Sequence, residues 1–339
     1  MAGLRILVVN AGSTSLKLSV VEKDDSSVAV PSLAEAPRDV TAVAHRVVHG
    51  GSRFREPVLI DDDLLAELQQ LAELAPLHNT PALKAIGEAR TAFPEQPQVA
   101  VFDTGFHATI PEVAFTYAVP RRWREEWGIR RYGFHGLSVA WAAERVPVTR
   151  LAVCHLGGGC SVTAVLDGRS VDTTMGFSPL EGVPMATRPG TIDPEILLYL
   201  QRRAGIGPGE LEQALEHASG LLALGGSARV EELEASSEPG ARLALSVFCY
   251  RVAAAVASMT AALGGLDALV FTAGVGERSA LVRERVCGRL AFLGVELDAE
   301  TNSGASPDAD LSADGSAVRV WIVRAREDVV AARAARTLL

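Results

Sequence analysis

Apolar and polar positions alternate in short blocks from the start of the chain. Ile6–Val9 is an apolar run stopped by Asn10, and Lys17–Val21 and Val28–Val30 continue the alternation, which predicts a meander of strands. Thr41–Val48 predicts a further strand, ending at His49-Gly50-Gly51. In Asp61–Leu74, Leu64, Leu65, Leu68 and Leu71 recur at helical spacing behind an acidic start, and a second helix is expected over Thr80–Phe93, closed by Pro94. Gln98–Phe102 reads as a strand that delivers Asp103 to a turn, Thr104–Pro120 as irregular and Leu137–Arg145 as helical. Strands resume at Leu151, Ser161 and Ser170, and helices follow over Pro194–Ala204 and Glu210–Ala218. A loop at Ser236–Gly240 precedes a long apolar helix, Ala241–Leu263, and a buried strand, Ala268–Thr272, runs into a glycine-rich turn. A helix over Ala280–Leu290, a polar loop at Asn302–Gly315, a strand over Val318–Val323 and a closing helix over Asp328–Leu338 complete the pattern. Strands interleaved with helices, with a meander opening each half, predict an α/β architecture.

One strand–turn–strand pattern occurs twice. Arg5–Val20 reads RILVVNAGSTSLKLSV and Arg150–Val165 reads RLAVCHLGGGCSVTAV; the copies align at one offset without a gap. Each has an apolar run, a polar residue (Asn10 or His155), then a turn of small residues and a second strand. Glycines 12, 157, 158 and 159 permit backbone N–H groups to face an anion, Ser13, Thr14, Ser15 and Ser161 add hydroxyl donors, and Lys17 adds a cation. Either turn alone reads as an ordinary hairpin. The repeat favours two related halves that clamp a nucleotide by its phosphates.

Bulk properties narrow the classes. A chain of 339 residues is long enough for two domains with separate cores. A net charge of −9 argues against binding nucleic acid or a membrane surface, while leaving room for a few arginines to dominate a local cleft. Cys154, Cys160, Cys249 and Cys287 lack the spacing of a zinc site or a disulfide framework. The N-terminal run carries no signal-peptide pattern, and Arg242 and Arg251 interrupt the longest apolar stretch, so a cytoplasmic protein is expected.

Other clusters combine charge or imidazole with Gly and Pro. In His45-Arg46-Val47-Val48-His49, strand alternation puts Arg46 and Val48 on one face, an anion clamp beside an apolar wall; an edge strand with a solvated Arg46 is the competing reading. Asp103 at a strand end is either a ligand group or the acid of an Asx turn. His78 in Ala75-Pro-Leu-His-Asn-Thr-Pro and His135 in Arg131-Tyr-Gly-Phe-His-Gly have bland readings as a capping loop and a satisfied core histidine. The Gly- and Pro-rich stretch from Thr174 to Pro194 reads as a shaped loop presenting Arg188. Gly274-Val275-Gly276-Glu277 suits a nucleotide but is weak alone, and no Gly-Lys of a P-loop and no Gly-x-Ser-x-Gly elbow occurs.

In order, the motifs VNAGSTSLK, AHRVVHGG, LAPLHNTPAL, FDTGFHATIP, RYGFHG, HLGGGCSV, DTTMGFSPLEG, TRPGTIDP and VFTAGVGE resemble those of the acetate kinase (acetate/propionate kinase) family, within the superfamily of sugar kinases, heat-shock ATPases and actin. The resemblance implies two ribonuclease-H-like α/β domains related by internal duplication, with the active site in the cleft between them. The first would comprise residues 1–106 and 327–339, the second 107–326, with dimer contacts in the second. It further implies reversible, Mg²⁺-dependent transfer (Mn²⁺ as an alternative) of the ATP γ-phosphoryl group to acetate, giving acetyl phosphate and ADP. Arg46 and Arg188 match arginines that clamp the carboxylate and the transferred group, and His135 a donor to that group. Asp103 and Glu327 match acids that organise the metal, with Asn10 near metal and phosphates. Val48, Leu77, Phe134 and Pro179 match a small acyl pocket, and His78 and His155 supporting polar positions. Ser13, Ser15, Lys17, Gly157, Gly158, Gly159, Gly274, Val275, Gly276 and Glu277 fall where the nucleotide is held.

The chain departs from the family pattern. The segment between Lys17 and His45 is short, as though a helix-containing portion of the first domain were missing. Gly158, Pro189, Thr191 and Arg278 stand where Asn, Ser, Asp and Asn are usual, and the loop Ser219–Arg229 is shortened. The changes gather on the nucleotide side, which raises the expectation of altered nucleotide affinity or donor choice.

Overall fold

In a computed structural model of the chain the described residues are 4–11, 16–71 and 76–339, of which 71 and 76–78 are described by backbone alone. They form two compact units, Met1–Ala108 with Phe134–Trp141 and Arg326–Leu339, and Thr109–Gly133 with Ala142–Ala325. The short stretch Phe134–Trp141, left in the second domain by the sequence, thus packs with the first unit.

The first unit is built on a sheet of β1 (Ile6–Ala11), β2 (Leu16–Val21), β3 (Ser27–Val30), β4 (Ala42–Val47), β5 (Val58–Leu59) and β6 (Gln98–Phe102), in the order β3-β2-β1-β4-β6-β5. The second has β7 (Arg150–Leu156), β8 (Cys160–Leu166), β9 (Arg169–Thr173), β10 (Ala268–Thr272), β11 (Ala309–Asp310) and β12 (Arg319–Ile322), in the order β11-β12-β10-β7-β8-β9. Read from the opposite edge, the second sheet repeats the first strand for strand. Each has an antiparallel meander, two parallel additions and a two-residue antiparallel edge. The internal duplication expected from the repeated hairpin therefore extends over both sheets.

The ungapped alignment of the two hairpins does not hold through the turn. Ala11 pairs with Leu16, and Asn10 with Lys17, whereas Leu156 pairs with Cys160, and His155 with Ser161. Asn10 therefore answers to His155, but Lys17 answers to Ser161 rather than to Val162. The reason is the two-residue period of a strand, in which a slip of one residue turns every side chain to the other face. With the slip, Val162 and Ala164 take the buried positions that Leu18 and Val20 hold in the first copy.

The central strands of the first sheet are buried on both faces, as parallel strands covered by helices should be. On one face Leu7, Val9 and Val43 pack with Ala85 and Ala89 of the helix Pro76–Ala92 and with Phe93 just after it. The alternate residues face the closing helix Glu327–Arg336, which buries Val329, Ala331, Ala332 and Ala335. That helix is also tied to the β2–β3 turn: Arg333 donates to Asp25 at 2.7 and 2.9 Å, and Arg336 donates to it at 2.9 Å. Asp25 has φ 64. Burial opposes its charge, but the two arginines outweigh this and hold the carboxyl below its ordinary range. Asp25→Ala is expected to cost about 2 kcal/mol, read as a lower urea midpoint at unchanged slope; an unmoved midpoint would mean the clamp is only a solvated ion pair.

The long helix begins at Pro239, earlier than the sequence suggested, because proline suits the first helical turn. By length and composition it is able to cross a membrane. Yet Ala244, Leu245, Phe248, Val252, Val256 and Met259 are buried in the second unit, where the helix packs on β7 and β8. Short helices at Glu112–Phe115, Arg121–Glu126, Gly220–Gly225 and Val230–Ala235 carry no periodic signal in the sequence. Pieces this short have no stable helical propensity of their own and take their shape from docking. Likewise, the expected polar loop at Asn302–Gly315 contains the end of the helix Ala299–Gly304 and the edge strand β11.

Candidate functional site

In the first unit, three parallel strands end at one place. Asn10 on β1 and Arg46 on β4 are neighbours in the ladder and share the face covered by the closing helix; Asp103 follows β6. Arg46 lies inside the sheet, which removes the edge-strand reading. Its Nη2 donates to Asp103 Oδ2 at 2.6 Å, its Nη1 to Asn10 Oδ1 at 3.2 Å, and its Nε stands 3.9 Å from Glu327 Oε2. Asn10 Nδ2 in turn donates to Glu327 Oε2 at 2.8 Å. Burial works against the charge of Arg46, but Asp103 and Glu327 more than offset this and hold the guanidinium protonated, above its ordinary value. Lys17, directly across the ladder from Asn10, is exposed on the neighbouring strand.

His135 joins the same cluster through its backbone. Its N–H donates to Asp103 Oδ2 at 2.9 Å, and the next amide, Gly136, donates to the Asp103 carbonyl at 2.9 Å. The approach is so close that a Cβ on Gly136 would lie 2.2 Å from that carbonyl oxygen. His135 itself has φ 62, a strained conformation for a residue with a side chain. Phe134, the residue before it, is buried, as is Val48, and the His49 ring stands edge-on to Phe134 at 5.5 Å. Asn79, which the sequence did not single out, fixes this wall by pairing its side-chain amide with both backbone groups of His49 at 3.0 Å. Leu77 and His78, expected here, fall among residues whose side chains lie outside the description, as Ser13 and Ser15 do entirely.

Two further histidines of this unit are structural. Nε2 of His45 donates to Gln98 Oε1 at 2.8 Å, and its Nδ1 is buried with no hydrogen bond among the described residues. His107 donates from Nε2 to the Phe134 carbonyl at 2.9 Å. Burial pushes both rings down to about 4. The unfolded chain takes up these protons near pH 6.5, so the stability they contribute is complete above that pH and is lost as pH falls toward 4. The expected loss is about 2 kcal/mol per ring between pH 7 and pH 5, visible as a falling urea midpoint. A midpoint equal at both pH values would mean the rings are not buried as neutral bases.

In the second unit, Arg188 stands on the shaped loop its Gly and Pro content predicted. Its Nε lies 3.3 Å from Glu216 Oε2, and its Nη1 donates to the Pro179 carbonyl at 3.1 Å and contacts Met185 Sδ at 3.7 Å. The side chains of Arg188 and Glu216 are 14% and 10% exposed. Burial pulls the guanidinium below its ordinary value and pushes the Glu216 carboxyl above its own, each partly offset by the partner. The loop also touches the glycine turn, since Ala186 N–H donates to the Gly158 carbonyl at 3.2 Å. A Cβ on Gly158 would meet nothing within 4 Å, which leaves space above the turn. His155 and Thr272 are neighbours at the ends of β7 and β10, and the Thr272 hydroxyl is buried with no hydrogen bond among the described residues. Beyond them Ala273–Arg278 is a short helix in which Gly276 packs tightly on Phe271 and Cys154. Glu277 accepts from the Ala325 N–H at 2.9 Å, so one of its oxygens serves the chain itself.

A family model described as the Acetokinase family matches residues 31–333. The chain belongs to the acetokinase family. The acetate kinase of Leifsonia xyli subsp. xyli is 48% identical over 316 residues, covering 90% of this chain and 79% of that protein. The acetate kinase of Dictyoglomus turgidum is 38% identical over 390 residues, covering 97% and 96%. Among solved structures, a propionate kinase from Francisella tularensis subsp. tularensis gives a TM-score of 0.89 at 34% identity, covering 97% of this chain and 98% of the other. An acetate kinase from Porphyromonas gingivalis gives 0.88 at 30% identity, covering 98% and 99%. The Dictyoglomus alignment is longer than the 339 residues of this chain, so that relative carries stretches which this chain lacks.

Proposed function

We propose that the protein is an acetate kinase, moving the γ-phosphoryl group of ATP reversibly onto acetate to give acetyl phosphate and ADP. The observation that carries this reading is the buried Arg46 held by Asp103, Glu327 and Asn10 at the ends of parallel strands. Acetate is ionised at neutral pH, so the nucleophile needs no general base. One carboxylate oxygen attacks the γ-phosphorus in line, the bond to the bridging oxygen breaks, and its electron pair leaves with ADP. Catalysis then reduces to positioning and neutralising charge. Arg46 and Arg188 would neutralise the carboxylate and the transferred group, and His135 would donate to that group from its strained position. Asp103 acts by orientation, since one of its oxygens already receives both Arg46 and the His135 amide.

The donor set fits a hard cation. Asp103 and Glu327 both reach Arg46, and magnesium is typically held by one or two carboxylates together with substrate phosphates. Glu327 and Asn10, with Asp103 organising them, would hold Mg²⁺; when bound, the ion neutralises phosphate charge. Lys17, Ser13, Ser15, His155, Gly157–Gly159 and Gly274–Glu277 would take the nucleotide. On that side the departures at Gly158, Pro189, Thr191 and Arg278 support altered donor affinity. We further propose a cytoplasmic homodimer through the second unit. The helix Pro194–Ala204, which buries no residue and exposes Ile196, Leu198 and Tyr199, supports this.

Val48, Phe134 and Pro179, with Leu77 and His78, would form the acyl pocket. A propionate kinase among the structural relatives favours propionate as a second substrate, since one methylene changes selectivity by only about 1–3 kcal/mol. The test is acyl phosphate trapped with hydroxylamine, from acetate and propionate, with ATP, GTP or pyrophosphate as donor and Mg²⁺ present. Turnover of acetate with ATP is expected. A folded protein that forms no acyl phosphate with any donor would instead be a binding protein for acyl phosphate or nucleotide.

A further inference from the structure

We infer that Glu216 is a positioning residue for Arg188, gripping one edge of the guanidinium so that the other faces the incoming anion. Its negative charge also moderates how tightly that anion is held. The inference rests on the reading of Arg188 as an anion-binding arginine.

The guanidinium is fixed on two of its three nitrogens. Nε is ion-paired with Glu216 Oε2 at 3.3 Å, and Nη1 donates to the Pro179 carbonyl and the Met185 sulfur. Nη2 makes no hydrogen bond among the described residues and is left to face a ligand. An arginine fork presents its donors in one plane, so holding one edge sets the direction of the other.

Acid and arginine come from two segments locked together by their backbones. Thr187 Oγ1 donates to the Glu216 carbonyl at 2.6 Å, and Ser219 N–H donates to the Thr187 carbonyl at 2.9 Å. Gly220, at φ +63, closes the joint: a Cβ there would sit 2.2 Å from the Met185 carbonyl oxygen and 2.6 Å from that of Arg188. The pair is therefore set before any ligand arrives. A buried ion pair is rarely worth more to stability than well-packed apolar residues, so stability alone is a weak reason for it. A carboxylate already on the arginine shares its field with a second anion, which weakens binding and speeds release.

The charge and the grip separate in two variants. Glu216→Gln keeps the shape but removes the charge; Glu216→Ala removes both. Glu216→Gln is expected to lower KM for acetyl phosphate about fivefold, with kcat within about threefold of wild type. Glu216→Ala is expected to lower kcat at least about tenfold and to raise KM. Titration of inorganic phosphate by calorimetry gives a readout free of turnover. Glu216→Gln should bind phosphate more tightly than wild type, and the gain should vanish in an Arg188→Ala background. That result would stand even for a protein that made no acyl phosphate, which keeps this inference separate from the kinase reading. Wild-type kcat, KM and phosphate affinity in both variants, with only a lower urea midpoint, would reduce Glu216 to a structural residue and overturn the inference. Weaker phosphate binding by Glu216→Gln would overturn it as well.

Discussion

Arg188→Ala is expected to lower kcat/KM for acetyl phosphate formation by about a thousandfold or more. An arginine that stabilises charge on a transferring phosphoryl group is worth about that much. Nothing described near Arg188 replaces its charge, because the groups that grip it are a carboxylate, a carbonyl and a thioether. The same substitution leaves Glu216 buried without its partner, so a stability loss of about 3 kcal/mol should accompany it. The two effects separate in the double variant Arg188→Ala/Glu216→Gln. Neutralising the orphaned acid should restore the urea midpoint toward wild type while leaving turnover lost. Residual activity within tenfold of wild type in either variant would remove Arg188 from the reaction and, with it, the assignment of the shaped loop.

The loop around Arg188 was legible because Gly and Pro at such density serve no regular element, whereas Glu216 gave no signal at all. It lies in an ordinary acidic helix beside Glu210 and Glu212, and its burial depends on a loop nearly thirty residues earlier folding against it. Arg46 was half legible. The strand itself was legible, but only the sheet order showed β4 to be central, which decides between a solvated and a buried guanidinium. Asn79 sits beside His78 in one polar motif, and its role appears only when the amide meets the His49 backbone. The repeated hairpin was visible as composition, while its one-residue slip was not. Small residues in a turn tolerate either length, and the register is set by burial along strands that pair only in the folded sheet.

Asp103→Asn should be nearly as damaging as loss of Arg188, for a different reason. The side chain is wholly buried, and its Oδ2 receives both Arg46 Nη2 and the His135 amide. An asparagine of the same shape accepts those bonds with a neutral oxygen, which leaves the Arg46 charge balanced by Glu327 alone at 3.9 Å. If the amide turns over, its NH₂ meets two donors and both bonds fail. The expected result is a fall in kcat of about a hundredfold to a thousandfold, together with a stability loss of about 3 kcal/mol from the uncompensated guanidinium. Lost orientation and lost proton abstraction both lower kcat, so the single variant does not tell them apart; the double variant does. Residues that act as one unit lose little more together than the worse of them loses alone. Arg46→Ala/Asp103→Ala should therefore be about as slow as the slower single variant. Multiplicative losses would mean that Asp103 acts on the reacting groups independently of Arg46, as a base or a direct ligand would, and the orienting role drawn from its bonds would have to be given up.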